Sequence, residues 1–465
     1  MNKQDSYTFP EDFIKRIRIQ FGEQADEFLN SMEKEPSVTV RLNNKKFSLQ
    51  EKIFEHVQWC PAGVFLKERP VFTLDPLFHA GAYYVQEASS MFLEQAFRAT
   101  GTTTEGRLIL DLCGAPGGKS THLLSLMNDN DLLVSNEVIL SRIKILRENI
   151  RKWGAPNVII ANNDPKDFGQ LNGFFDLILV DAPCSGEGLF KRDPAARNEW
   201  SPGNAQLCSV RQRRIVADIW PALKTGGYLI YSTCTFNPEE NEENLKWLKS
   251  QNNFKSIRIP LKPEWHIEET ETDNIYGYHF FPHLVKSEGF FIAVLQKTDD
   301  EPASRFPKKM RNKPGKIPAG MAFVKNWVQA GNYEFRMIND TIVASPEQWQ
   351  NEIDRLSNSL KITDSGLPVA TLKGKDTVPA HELVLSSVLN ISGFGFTDIN
   401  FEEALKYLRK EEIKLHTKET GWQIVRFRNT PIGLVKNIGT RVNNYYPKEW
   451  RIRMQTTQAG KPWYE

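Results

Sequence analysis

Short apolar runs alternate with helical stretches throughout residues 108–297, and this alternation constrains the fold more than any other feature of the sequence. The runs are Leu108–Leu112, Leu132–Ser135, Val158–Ala161, Leu177–Val180, Tyr228–Ser232 and Phe290–Leu295. Strands and helices that alternate over this length predict an α/β fold with a doubly wound, mostly parallel sheet. Ligands of such sheets bind at the carboxyl ends of the strands. The residues that follow each run are therefore the candidate site residues.

The first strand is followed by a glycine-rich segment, DLCGAPGGKS, at Asp111–Ser120. Its three glycines allow the backbone to approach a ligand closely, and a helix is predicted to begin near Lys119. Glu137 ends the next strand, where a carboxylate can accept both hydroxyls of a ribose. The turn departs from the dinucleotide pattern G-x-G-x-x-G. This favours a nucleoside without pyrophosphate, such as S-adenosylmethionine.

Asp164 ends the third strand, in VIIANND, and is placed to reach an adenine edge. The alternative role for an aspartate at this position is the N-cap of a helix or an Asx turn.

Two further strand ends carry thiols. DLILVDAPCSGEG brings Asp181 and Cys184 into one loop, and GGYLIYSTCTFNPEEN brings Cys234 into another. Because the carboxyl ends of parallel strands share one edge of the sheet, we expect the three side chains to converge near the glycine-rich segment. A single cysteine here would more often be a small buried apolar residue. Two cysteines accompanied by an aspartate favour a catalytic site.

A thiol beside a methyl donor suits one reaction in particular. C5 of cytosine is a poor nucleophile, but addition of a thiolate to C6 makes C5 able to attack a methyl group, which is covalent catalysis. Addition also needs a hydrogen-bond partner or acid at the N3 and amino edge, which Asp181 can provide. The base must leave its stack to enter such a pocket. The spacing of the motifs does not decide which cysteine attacks.

At these residues the chain resembles a known family. DLCGAPGGKS, DAPCSGEG and YSTCTFNPEEN are similar to motifs I, IV and VI of the Nop/Sun family of RNA cytosine-C5 methyltransferases. YVQEASSM, at Tyr84–Met91, resembles the segment that precedes the first motif, and Phe280–Lys297 resembles the closing strand pair. The resemblance implies a Rossmann-like class I S-adenosylmethionine-dependent methyltransferase core.

The same resemblance assigns roles to individual residues. It implies that Cys234 is the nucleophile, that Cys184 assists release of the product, and that Asp181 belongs to both the catalytic and the methyl-donor sites. Gly114 stands where an alanine is common, which is expected to loosen the turn. The implied contacts to S-adenosyl-L-methionine are Cys113, Gly114, Ala115, Pro116, Gly117, Gly118, Lys119, Glu137, Asp164 and Asp181.

The C-terminal region is basic, although the whole chain has a net charge of only +2. Residues 414–453 contain nine Lys or Arg and two Glu, a net charge of +7. The run KETGWQIVRFRNTPIGLVKNIGTRVNNYYPKEWRIR resembles the PUA-like module of bacterial small-subunit rRNA methyltransferases of the RsmF type. Its cations are expected to contact phosphates, and Trp422, Tyr445, Tyr446 and Trp450 either stack on unpaired bases or form the core of a small barrel. The predicted RNA contacts are Lys191, Arg192, Arg426, Arg428, Lys436 and Arg441.

These observations predict five segments. Residues 1–76 form a small α+β, RNA-binding region, with a helical pattern over residues 10–35 and a strand at Ser37–Asn43. Residues 77–300 form the methyltransferase domain. A basic, proline-rich linker at 301–320 and a small mixed region at 321–377 lead to the PUA-like, β-rich module at 378–465, whose clearest helix is capped by Asn400 with Glu403 and runs inward through Ile413.

Composition limits the partners and the compartment. Five cysteines without a Cys-x-x-Cys pair argue against a disulfide framework or a zinc site, so Cys60 and Cys208 are expected to be structural and no metal is expected. The sequence shows neither a secretory signal nor a membrane-spanning apolar run. We therefore expect a cytoplasmic monomer that binds RNA, 16S rRNA or the small ribosomal subunit above all, and no membrane. The alternatives are a tRNA cytosine-C5 methyltransferase and a ribosome assembly factor without catalytic activity.

Overall fold

The structure is a computed structural model that describes residues 7–49, 54–101, 105–299, 315, 317–374, 376–415, 419–455 and 460–465. Most of the predicted linker, residues 301–314 and 316, lies outside the described residues. No helix within the described ranges is both long enough and apolar enough to cross a membrane.

The N-terminal region pairs two helices with a four-stranded antiparallel sheet of order β2-β3-β1-β4. The helical pattern predicted over residues 10–35 is interrupted, because Gly22 has a positive φ of 54° that ends the first helix. The strand predicted at Ser37–Asn43 is confirmed. The elements are α1 (Glu11–Phe21), α2 (Ala25–Met32), β1 (Val38–Leu42), β2 (Glu55–Val57), β3 (Cys60–Leu66), α3 (Pro76–His79), β4 (Tyr83–Val85) and α4 (Leu93–Ala99).

The central sheet confirms the predicted doubly wound architecture. Its strands are β5 (Leu108–Asp111), β6 (Leu132–Asn136), β7 (Val158–Ala161), β8 (Phe175–Asp181), β9 (Leu223–Thr233), β10 (Phe254–Ser256), β11 (Glu268–Thr272), β12 (Ile275–Phe280) and β13 (Phe290–Lys297). β7, β6, β5, β8 and β9 are neighbours in that order and run parallel, and β13, β12 and β11 extend the sheet antiparallel beyond β9. The flanking helices are α5 (Gly118–Leu126), α6 (Leu140–Trp153), α7 (Pro202–Ile219) and α8 (Glu242–Gln251).

The C-terminal third forms two four-stranded sheets and lends one strand to the central sheet. The first sheet, of order β14-β15-β17-β18, is antiparallel, whereas β16 pairs with β7 at the edge of the central sheet. The second sheet has the order β19-β20-β21-β22. The elements are β14 (Tyr333–Ile338), β15 (Thr341–Pro346), α9 (Gln350–Ser359), β16 (Ile362–Asp364), β17 (Leu367–Lys373), β18 (Asp376–Pro379), α10 (His381–Val384), β19 (Gly395–Asp398), α11 (Phe401–Leu408), β20 (Gly421–Phe427), β21 (Thr430–Asn437) and β22 (Val442–Asn444).

The predicted capping box of α11 is confirmed: Asn400 and Glu403 each accept the other's backbone N–H. The helix ends at Leu408, however, and not at Ile413, because Lys410 adopts a positive φ of 62°. Ile413 remains buried in the segment that follows.

The N-terminal region and the C-terminal module share one apolar core. Val40, Leu42 and Leu77 pack in the same cluster as Leu405 and Tyr407. Tyr464 near the C-terminus donates a hydrogen bond to the buried Asp75 at 2.8 Å. The two ends of the chain are therefore one packed unit, not independent modules.

Candidate active site

The glycine-rich segment forms the turn between β5 and α5. Gly117 has a φ of 114°, the left-handed region that favours glycine, and Gly114 donates its N–H to the Asn136 carbonyl at 2.7 Å. A Cβ on Gly114 would lie 2.5 Å from Ser135 Oγ. An alanine at this position would therefore require the Ser135 hydroxyl to shift, and the expected loosening of the turn by glycine stays a prediction.

Asp111, which precedes the turn, is fully buried and was not singled out as a functional residue. Ser120 donates a hydrogen bond to its Oδ2 at 2.6 Å, while Oδ1 has no partner within the described residues. Burial raises the pKa of Asp111 to about 7. The carboxyl end of β5 therefore carries a buried carboxyl group next to the glycine-rich turn.

Glu137 lies at the end of β6, as predicted, with its side chain almost fully buried. Its Oε1 accepts the Ile139 N–H at 2.8 Å. Arg142 lies 3.4 Å from Oε2 and also donates to the Ala115 carbonyl at 2.6 Å. Arg142 therefore connects the glycine-rich turn with the carboxylate that we expect to accept ribose hydroxyls.

Asp164 follows β7 and takes the alternative role that the sequence left open. It forms a capping box with Asp167 at the start of a short 3-10 helix. Arg214 of α7 lies 3.4 Å from its Oδ2. About a quarter of the Asp164 side chain is exposed. The carboxylate therefore remains accessible although it caps the 3-10 helix.

The two cysteines converge as expected. Cys184 Sγ lies 2.9 Å from Cys234 Sγ, and the Cys234 N–H points at Cys184 Sγ from 3.3 Å. The hydrogen bond with Cys234 and burial both raise the pKa of Cys184 well above its ordinary value. Cys184 is therefore held as a thiol that can donate its proton to a neighbouring sulfur.

A partly buried ion pair borders the cysteines. Lys119 Nζ lies 2.8 Å from Asp181 Oδ2, and Ser232 donates to Asp181 Oδ1 at 2.9 Å. Burial disfavours the lysine charge, but the Asp181 carboxylate outweighs it and raises the pKa of Lys119. The Lys119 ammonium also lies 5.0 Å from the centre of the Phe290 ring. Asp181 is thereby fixed in place beside the thiols.

Glu240, in the NPEEN stretch, is a residue that the sequence analysis missed. It is fully buried, and its Oε2 accepts the Ser185 N–H at 3.0 Å and Gln212 Nε2 at 2.7 Å. Burial raises the pKa of Glu240 to about 7. The side chain thus fixes the loop of Cys184 to the loop of Cys234; the signal for it was its position six residues after Cys234.

Glu187 connects the same loops to the N-terminal region. Arg16 of α1 lies 2.6 Å from its carboxylate, the Phe236 N–H donates to it at 3.1 Å, and Trp200 Nε1 donates at 2.9 Å. The N-terminal helix is therefore part of the frame of the site.

The predicted RNA contacts have different surroundings. Lys191 is half-buried and donates to the Ser287 carbonyl at 3.3 Å, and Arg192 is exposed with Glu288 at 3.7 Å. Both lie directly after the Cys184 loop. Arg426 and Arg428 pair with Asp398 and Glu465 respectively, whereas Arg441 is exposed.

The aromatic residues of the module divide into two groups. Tyr446 is 1% exposed and packs against Tyr407, so it belongs to the core and its alternative as a stacking surface is wrong. Trp450 packs on His381. Trp422 and Tyr445 remain partly accessible and pack edge to face, with ring centres 4.7 Å apart.

Cys60 and Cys208 are buried in the core, as expected. Cys208 is buried on α7. Cys60 Sγ lies 3.9 Å from His122 Nε2, which is 3.7 Å from a Glu94 oxygen. These three side chains lie close enough to share a cation. However, burial raises the pKa of Cys60 to about 12, and Arg98 already pairs with Glu94, so we expect a hydrogen-bonded core cluster.

The fold and this constellation define a class. A Rossmann-like sheet with a glycine-rich first turn, a carboxylate after the second strand and reacting groups after the fourth is the arrangement of an S-adenosylmethionine-dependent methyltransferase. Comparison with known proteins gives the family. The model of 16S rRNA methyltransferase RsmB/F matches residues 101–296, that of the RsmF N-terminal domain matches 9–88, and that of the RsmF PUA domain matches 396–452.

Similar proteins support the same assignment. Ribosomal RNA small subunit methyltransferase F of Cronobacter sakazakii is 30% identical over 96% of both chains, and that of Escherichia fergusonii is 31% identical over 96% of this chain and 97% of its own. The chain belongs to the RsmF-type methyltransferase family, within the Nop/Sun methyltransferases.

Solved structures show the same fold. A methyltransferase homologue from Pyrococcus horikoshii is 29% identical, with a TM-score of 0.53, and covers 63% of this chain and 96% of its own. NSun6 from Pyrococcus horikoshii, solved with SFG, is 21% identical, with the same TM-score, over 63% of this chain and 99% of its own.

S-adenosylmethionine is the cofactor of this enzyme class, and the residues present fit it. Backbone N–H groups at the start of α5, the Glu137 carboxylate and the Asp181 carboxylate all face the carboxyl edge of the parallel strands. Such donors and acceptors suit the amino acid and ribose parts of the molecule.

Proposed function

We propose that the protein methylates C5 of a cytosine in 16S rRNA through a covalent bond between a cysteine and C6 of the base. The observation that carries this proposal is the 2.9 Å approach of Cys184 and Cys234 beside the Lys119–Asp181 pair. A reaction that requires only a nucleophile needs only one thiol. Two thiols in hydrogen-bond contact suit a reaction in which one sulfur must add and later leave.

The chain's own groups account for the steps. Cys234, as thiolate, adds to C6, and the electron pair of the C5–C6 double bond becomes available at C5, while the Asp181 carboxylate accepts a hydrogen bond from the amino group of the base. S-adenosylmethionine supplies the methyl group when bound. Water then takes the C5 proton, the electrons of the C5–H bond restore the C5–C6 double bond, and the Cys234 sulfur leaves as a thiolate. Cys184, which contacts that sulfur, is positioned to assist the expulsion.

The Lys119 ammonium stabilises the anionic partners. It pairs with the Asp181 carboxylate at 2.8 Å and interacts electrostatically with the Cys234 sulfur. A thiolate is the reactive form of cysteine, and a nearby cation stabilises it.

The RNA substrate is inferred from the family and from charge. The named relatives are ribosomal RNA small subunit methyltransferases, and this chain carries an exposed cation, Arg441, in the module that matches the PUA model. We propose that the substrate is 16S rRNA, either free or in the small ribosomal subunit. We also propose that the protein is a monomer and acts in the cytoplasm.

The test is direct. Purified protein is incubated with S-adenosylmethionine and with 16S rRNA, small ribosomal subunits or tRNA, and the nucleosides are analysed by mass spectrometry and bisulfite sequencing. We expect 5-methylcytosine at one position in 16S rRNA or the subunit. Methylation at another atom of cytosine, or in tRNA alone, would refute the proposal, as would no methylation of any of the three RNAs.

A further inference from the structure

A cavity of about 400 Å³ lies between the N-terminal region and α6, outside the site described above. Its walls include Arg69, Phe72, Phe78, Tyr84 and Asn149. This volume falls within the range of about 300–1,000 Å³ that is typical of small-ligand sites. We call it the side cavity.

We propose that the side cavity binds one unpaired nucleotide of the RNA substrate, with the base against Tyr84 and Phe78 and the phosphate on Arg69. This inference rests on the proposed function for the identity of the polymer. It adds a binding site that the catalytic motifs do not include.

The wall chemistry fits a nucleotide. Aromatic faces stack on any base, and an arginine holds a phosphate through paired N–H groups. Tyr84 and Phe78 are partly accessible, and Arg69 is exposed at the rim, 5.6 Å from the centre of the Phe72 ring. An apolar peptide would not require an exposed cation at this rim.

The side cavity borders the methyl-donor turn from its outer side. The Tyr84 ring packs on Gly118 so closely that a Cβ there would lie 3.3 Å from Tyr84 Cε1. Asn149 donates to the Pro116 carbonyl at 2.8 Å. The side cavity therefore shares Tyr84 and Asn149 with the outer face of the methyl-donor turn.

The surroundings of Glu288 relate the side cavity to the Cys184 loop. Arg192 lies 3.7 Å from the Glu288 carboxylate, and burial and the like charge of Glu87 raise the pKa of Glu288 against the opposing effect of Arg192, Lys191 and Arg69. Glu288 adjoins Gly289, whose carbonyl lies close to Gly188 in the Cys184 loop. Glu288 therefore connects the electrostatic environment of the side cavity with that of the Cys184 loop.

The test uses the full-length protein and a fluorescein-labelled, single-stranded 12-nucleotide RNA of mixed sequence. Tyr84→Leu should weaken the affinity at least about fivefold, because a base stack is lost, whereas Tyr84→Phe should stay within about twofold of the wild type. Arg69→Ala should lower the slope of log affinity against log salt by about 0.7, the value for one phosphate contact of a single strand. Lys255→Ala removes an equally exposed charge from β10 and should leave the slope unchanged.

Two further measurements separate the causes. Calorimetry with S-adenosylhomocysteine should give wild-type affinity for each variant, which shows that the Gly118 turn is intact. Photocrosslinking with 4-thiouridine in the same RNA should label the peptide that contains Phe78 or Tyr84.

Wild-type affinity and slope in both Tyr84→Leu and Arg69→Ala would overturn the inference. So would variants that bind the RNA normally but lose affinity for small ribosomal subunits, because the occupant would then be a ribosomal protein. If the wild type makes 5-methylcytosine and the variants bind RNA normally, only the side cavity inference fails. If the variants lose RNA affinity and the wild type makes no 5-methylcytosine, only the proposed reaction fails.

Discussion

The sulfur atoms of Cys184 and Cys234 lie 2.9 Å apart although the residues are separated by fifty positions in the chain. The cause is strand pairing: β8 and β9 are parallel neighbours, with Asp181 opposite Ser232, so the loops that follow them begin side by side. Glu240 then joins the two loops through the Ser185 N–H. The pairing of β8 with β9 and the buried carboxyl of Glu240 together bring the two thiols into contact.

This contact predicts different outcomes for the two cysteines. Cys184→Ala should still add to C6 through Cys234 and transfer the methyl group, but it should stall before release, because the group that contacts the leaving sulfur is absent. The stalled protein–RNA adduct should survive denaturing electrophoresis as a slower band. Cys234→Ala and the double variant should show no band and no methylation.

Cys208→Ala, which removes a buried thiol of α7 that has no assigned role in the reaction, is the control and should behave as wild type. A band with Cys234→Ala and none with Cys184→Ala would reverse the assignment. Peptide mapping of the trapped RNA would then identify the attached residue.

The glycine-rich turn predicts a loss of methyl-donor affinity in Gly117→Val. The backbone at φ 114° is unfavourable for a β-branched residue, and the new Cβ would lie 3.2 Å from Asn149 Cβ. The turn must therefore shift, and calorimetry with S-adenosylhomocysteine should show affinity at least about tenfold lower, or 1.4 kcal/mol.

Gly226→Val is the matched control. Gly226 has a similar positive φ of 78°, has open space around it and lies near the start of β9, far from the carboxyl edge. The Gly226→Val variant should lose some stability but keep wild-type affinity for S-adenosylhomocysteine. Equal loss of affinity in both variants would show that general strain, not the turn, is responsible.

Much of this architecture follows from the sequence. The six apolar runs are strands because they are short, rich in branched residues and buried on both faces, and their order fixes the edge at which Asp181, Cys184 and Cys234 meet. The glycine pattern likewise identified the turn before α5.

What the sequence does not predict depends on contacts between distant segments. Glu240 and the Arg16–Glu187 pair are polar residues that gain their roles only when burial brings them to their partners. Tyr446 is adjacent to the accessible Tyr445 in the chain, and only the packing on Tyr407 distinguishes the two. The addition of β16 to the edge of the central sheet has no local signal at all.

Glu240 predicts a pH dependence of stability. Burial raises its pKa from the ordinary 4.5 to about 7, so the folded protein favours the protonated form. The resulting stabilisation is complete below pH 4.5 and is lost as the pH rises through 7. Glu240→Gln mimics the protonated acid, so its free energy of unfolding relative to wild type should rise by up to about 3 kcal/mol between pH 5 and pH 9.

Urea unfolding at a series of pH values measures this difference. Glu239→Gln removes the same charge from the exposed neighbouring residue and should run parallel to the wild type. If Glu240→Gln also runs parallel, the carboxyl is ionised in the folded protein throughout this range.

Because the C-terminal module is basic, we expect part of the RNA affinity to depend on salt concentration. Point substitutions must test this, because removal of the module would expose the core that Leu405 and Tyr407 share with Val40. Arg441 is exposed, so Arg441→Ala should lower the slope of log affinity against log salt by about 0.7–0.9 if it contacts one phosphate. Arg426 is already paired with Asp398 at 2.7 Å. Arg426→Ala should therefore change the slope less, and it serves as the matched control within the same module.

Filter binding of 16S rRNA between about 50 and 200 mM salt gives both slopes. A slope for Arg441→Ala that equals the wild type would show that this face of the module does not contact the phosphate backbone, and a larger effect at Arg426 would show that RNA displaces Asp398 from its ion pair.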